Sequence, residues 1–141
     1  MAEVRSTLSK FGYPKEKTDR RISAMSLAFE DALVTGYEGL IPSMTNNEKD
    51  RHVLAAAVRC KADAIVTENW KHFPPASVDC YGILVLKPDD FFVHQLELNA
   101  DAVCDKIESQ ALAKRETPDV LISRLAKHTP EFSKRLAAIF N

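Results

Sequence analysis

Two short apolar runs constrain this chain most. Residues 64–66 read Ala-Ile-Val and residues 82–86 read Gly-Ile-Leu-Val-Leu, apolar at successive positions and not at alternate ones. Strands of that kind are covered on both faces, as in a parallel sheet. A helical stripe of Val53, Leu54, Ala57 and Val58 precedes the first run, with Asn46 or Asn47 placed to cap it. The order helix, strand, connection, strand points to α/β layering. A third, weaker extended piece is expected near Leu40 and Ile41. Three strands are few for an open sheet, so a central strand is expected to be missing.

The rest of the chain reads as helix. A short helical stretch at residues 3–8 is broken by Gly12 and Pro14. A helix over 15–33 would place Ile22, Met25, Phe29 and Leu33 on one stripe. Gly36 and Gly39 bracket a loop. Beyond Pro88, helices are expected over 90–98, 101–115, 118–127 and 130–140. The last two open on Thr117-Pro118-Asp119 and Thr129-Pro130-Glu131. Each is a threonine cap, a proline at the first helical position, and an acid facing the positive helix end.

Composition narrows the class. A chain of 141 residues suits one domain with a helical appendage. At 45% hydrophobic and 28% charged residues it is an ordinary globular composition. A net charge of -1 gives no whole-molecule field toward nucleic acid. No apolar run is long enough for a membrane span, and no secretory leader follows Met1. Cys60, Cys80 and Cys104 lie far apart and form no CxxC pair, which fits reduced thiols in a cytoplasm.

Two places carry polar groups with more than one reading. Asp50 falls on the inward stripe at the helix mouth. An acid there is either part of a capping box or a functional carboxylate. Thr67, Glu68 and Asn69 follow the first strand at its carboxyl end, where ligands bind in open parallel sheets. The plain alternative is a turn in which Asn69 bonds its own backbone.

The stretch "DRHVLAAAVRCKADAIVTENWKHFP" followed by "GILVLKPDDFF" resembles the carboxyl half of a PIN domain, as in the toxins of VapBC toxin–antitoxin pairs. The shared pattern is an acid opening a small-residue helix, a strand ending in Thr-x-Asn, an aromatic-Pro, and a second strand running into P-D-x-F. Glu3-Val4 resembles an earlier family helix that carries another acid. The resemblance implies a three-layer PIN-like fold over residues 1–92, with residues 93–141 as a helical extension. It implies an endoribonuclease dependent on Mg2+ or Mn2+, acting on RNA and held by a cognate antitoxin protein. Such ions prefer oxygen ligands, and a bound ion polarises a phosphate and activates water. By the same resemblance Glu3 and Asp50 match metal-ligand positions, while Thr67 and Asn69 line the site.

Two departures accompany the match. Family members open on a strand ending in an aspartate, which would precede Glu3; this chain is therefore expected to lack the first strand and to be impaired in cleavage. An aspartate is common where His72 stands; a neutral imidazole there removes a negative charge but can still bind a metal or relay a proton, so His72 joins Glu3, Asp50, Thr67 and Asn69 as a candidate catalytic residue. A late start, a degenerate binding module and a strand supplied by another chain each account for the first departure. The rival function is accordingly a non-catalytic PIN module that holds a protein or RNA partner. Open sheet edges make a homo-oligomer an expected partner as well.

Trp70 is expected to pack down and pin its loop, with stacking on an RNA base as the alternative. Lys114, Arg115, Arg124, Lys127, Lys134 and Arg135 interleave with Glu108, Glu116, Asp119 and Glu131, which reads as a solvated helical surface. His52, His94 and His128 show no metal-like pairing.

Overall fold

The computed structural model describes residues 9–10 and 12–140. They fall into two compact units, one ending at Gly36 and one starting at Tyr37. The helix expected at residues 3–8 lies outside the described residues.

In the first unit helix α1 spans Lys15–Ala28 and stops at Phe29, whose φ of -133° and ψ of 52° leave helical geometry. A 3-10 turn, Glu30–Ala32, follows. Ile22 is buried, but Phe29 and Leu33 are exposed. The expected stripe fails at its end because helical spacing aligns side chains only while the helix continues.

The second unit opens on a 3-10 helix, Glu38–Ser43, where an extended piece was expected. Pro42 sits inside it, and a proline's fixed φ suits that geometry while removing a strand donor. Asn47 then caps a short 3-10 turn, Glu48–Asp50, with its side chain accepting from the Lys49 N–H at 3.1 Å. Helix α2, Arg51–Cys60, follows directly. It ends at Lys61, which adopts φ 54° in the left-handed region. The Ala62 N–H reaches back to the Ala57 carbonyl at 2.9 Å, closing a Schellman turn.

Strands β1, Ala64–Val66, and β2, Leu84–Leu86, pair in parallel, with Ala64 opposite Leu84 and Val66 opposite Leu86. Between them run a 3-10 turn, Trp70–His72, a short helix α3, Pro75–Val78, and another 3-10 turn, Asp79–Tyr81. The parallel pairing agrees with the sequence, but coverage on both faces does not. Ile65 is buried, whereas Val66 is 42% and Leu84 61% exposed. Successive side chains point to opposite faces, and the packed side is the one Ile65 enters. There a core of Met44, Leu54, Ala55, Phe73, Val78 and Ile83 gathers around it.

Four helices complete the chain: α4, Pro88–Leu98; α5, Ala100–Ala113; α6, Pro118–Leu125; and α7, Pro130–Phe140. They share a second core of Val93, Leu96, Ile107, Leu121, Phe132 and Leu136. The threonine caps are not used as expected. Thr117 makes no side-chain cap, and the Thr129 hydroxyl donates backward to the Leu125 carbonyl at 3.0 Å. Helix α7 is capped from a distance. Asp89 on α4 accepts the Phe132 N–H at 2.9 Å and the Glu131 N–H at 3.1 Å. The mixed surface charges pair as the sequence suggests, Arg124 with Glu116 and Arg135 with Glu97 and Glu131. Among the described residues no helix is long and apolar enough to cross a membrane.

Candidate functional site

The mouth of α2 and the loop leaving β1 meet. The Asn47 N–H donates to the His72 carbonyl at 3.0 Å, and the His72 N–H donates to the Asn69 carbonyl at 2.8 Å. Phe73, buried in the first core, anchors the end of that loop. These contacts carry His72 to Asp50, and its Nδ1 lies 2.5 Å from the Asp50 Oδ2. Both side chains are partly exposed, at 35% for His72 and 21% for Asp50.

Asp50 therefore does not act as the expected capping-box acid. Its side chain makes no cap hydrogen bond. Asn47 already takes a first-turn N–H, and the carboxylate turns to the imidazole instead. Thr67 and Asn69 shape the loop. The Thr67 hydroxyl oxygen accepts the Asn69 N–H at 3.0 Å, and the Thr67 N–H donates to the Leu86 carbonyl at 2.9 Å. The turn is thus closed by threonine, not by an asparagine bonding its own backbone. Asn69 itself is exposed. Glu3 lies outside the described residues.

Sequence reasoning passed over Asn46 except as a cap. It is 3% exposed, and among the described residues neither its side-chain oxygen nor its nitrogen has a hydrogen-bond partner. Its carbonyl accepts the Arg51 Nε–H at 3.4 Å. The doubled Asn46-Asn47 was the available signal, since only one asparagine can cap one turn. Trp70 also departs from expectation: it is exposed and does not pack down.

A carboxylate and an imidazole in contact can hold and pass a proton. A hard divalent ion asks for more oxygen donors than this pair gives. Among the described residues no group of three or more His, Cys, Asp or Glu side chains is placed to hold a metal. The described donors thus do not by themselves fit such an ion.

Comparison with known proteins gives the lineage. Residues 88–138 match the family model described as VapC50 C-terminal domain. Over 112 residues the chain is 42% identical to a protein of Mycobacterium tuberculosis named "Putative ribonuclease VapC50". The chain belongs to the VapC-like PIN family. The alignment takes in 77% of this VapC-like chain and 66% of the relative, just under two thirds of that protein's length. The family-model match covers helices α4 to α7, and the relative's 112 aligned residues are too many to lie within those helices alone. No solved structure matches the chain.

Proposed function

We propose that this chain carries part of the active centre of a VapC-like endoribonuclease, the toxin of a toxin–antitoxin pair. One observation carries the reading: Asp50 and His72 meet at 2.5 Å beside the carboxyl end of a parallel strand. That is where ligands bind in open parallel sheets. In this reading residues 1–92 are the PIN-like three-layer part and residues 93–141 its helical extension. Asp50 is a ligand of Mg2+ or Mn2+, His72 is a catalytic residue beside it, and Thr67 and Asn69 line the site. The substrate is RNA, the partner is a cognate antitoxin, and the setting is the cytoplasm. The name of the mycobacterial relative supports the ribonuclease class.

A second reading, a PIN module that binds without cutting, draws on the same contact. An imidazole seated on Oδ2 occupies an oxygen that a hard cation would otherwise use. Metal-dependent cleavage of single-stranded RNA tells the two apart. The ribonuclease reading expects Mn2+-dependent cleavage that Asp50→Ala lowers by about 100-fold or more, since losing even a group behind a metal ligand costs up to about that much. A variant that cuts as fast as the parent would remove Asp50 from the site. Absence of cleavage, with RNA or protein binding that Asp50→Ala weakens, favours the module.

A further inference from the structure

We propose that Trp70, Lys71 and Lys87 form a subsite for single-stranded RNA, in which a base stacks on the indole and the two ammonium groups hold flanking phosphates. The inference rests on the RNA reading of the adjacent Asp50–His72 pair. Trp70 is the sole tryptophan and is 44% exposed, although a large aromatic ring gains most by burial. Two cations attend the ring. Lys71 Nζ lies 5.5 Å and Lys87 Nζ 5.3 Å from its centre. Among the described residues neither ammonium is ion-paired with a carboxylate.

The fold, not the local sequence, assembles this group. Trp70 and Lys71 lie in the 3-10 turn that carries His72 after β1. Lys87 follows β2, seventeen positions after Trp70 in the chain. Parallel pairing sets Val66 beside Leu86, so the two strands deliver their following residues to one end of the sheet. An exposed aromatic face stacks any base, while lysines track the backbone charge. The chain is nearly neutral overall, so the two lysines would act locally and not as part of a general field.

Because Trp70 is the sole tryptophan, its emission reports this one place. The test titrates the chain with single-stranded oligouridylate in a chelator, so that no strand is cut. A saturable quench is expected, with Lys71→Ala and Lys87→Ala each lowering the salt slope of log K by about 0.7. Polarisation of labelled RNA should show Trp70→Ala binding about tenfold more weakly, with Trp70→Phe retaining most of the affinity. Binding without a quench, or an equal quench by an abasic oligomer of the same length, overturns the subsite. So do lysine variants whose salt slopes match the parent. A quench that follows this pattern in a chain that never cuts with Mn2+ upholds the subsite and removes the ribonuclease reading. Cleavage without a quench does the reverse, and no binding at all in the chelator overturns the subsite while leaving the ribonuclease reading to the Mn2+ cleavage assay.

Discussion

Removing the Asp89 carboxylate is expected to destabilise the four-helix part by about 2 kcal/mol. Helix α7 has spent its local cap, because the Thr129 hydroxyl bonds the Leu125 carbonyl and Pro130 has no N–H. Asp89 takes both remaining first-turn donors, from Glu131 and Phe132. A lost cap costs about 1 kcal/mol, and the anion at the positive helix end adds about 0.5 kcal/mol. The second donor, Phe132, is in a partly buried bond and adds up to about 1 kcal/mol when left without a partner. Asp89→Ala should therefore lower the urea midpoint, followed by far-UV circular dichroism, by roughly 1 M at ordinary slopes. Asp90→Ala is the control. It removes an acid from the same first turn of α4, and it should stay within about 0.5 kcal/mol of the parent. Asp89→Asn keeps one acceptor and should lose about half as much. If Asp89→Ala and Asp90→Ala unfold at the same urea concentration, the remote cap does not stabilise α7 and the reasoning fails.

Three other outcomes are expected. Asn46→Ala removes a buried amide with no hydrogen-bond partner among the described residues, so stability should stay within about 0.5 kcal/mol of the parent or rise, read by urea unfolding; a drop of about 2 kcal/mol would mean the amide has a partner. Lys61→Gly relieves a left-handed residue at the end of α2 and should add about 0.5 kcal/mol, read as a higher thermal midpoint. Burial, then Asp101, Glu108 and Asp105, push the Cys104 thiol above its usual pKa. Its alkylation by iodoacetamide should lag behind exposed Cys60 and Cys80 at neutral pH and catch up as pH rises; mass mapping that finds Cys104 modified first would contradict this.

What the sequence disclosed follows the range of each interaction. The two apolar runs, their parallel pairing and the four closing helices were legible, because strands and amphipathic helices carry their own periodicity. The end of α1 at Phe29 and the 3-10 turn around Pro42 were not, since both depend on local geometry that spacing does not record. Caps were misjudged for a related reason. A threonine before a proline marks a helix start, but whether its hydroxyl turns forward depends on competitors such as Asp89, forty residues away along the chain. In the candidate site, the sequence marks Asp50 and the strand-end loop as separate places. Nothing in the spacing joins Asp50 to His72; the crossing of α2 and the strand-end loop does. The bulk of Trp70 argues for burial, whereas its exposed ring is flanked by Lys71 from its own turn and by Lys87, which only the pairing of β1 with β2 brings near.

Among the described residues of the second unit, apolar burial is divided between two groups, one around Leu54 and the other around Leu136, both fully buried. Substitutions far apart, with no shared neighbours, add their costs independently. A lineage carrying such a fold can therefore accumulate changes in its helical end without needing compensating changes around the strands. The helices can be remodelled for new surroundings while the polar groups at Asp50 and His72 stay where they are, which makes the division of the core a source of evolutionary freedom.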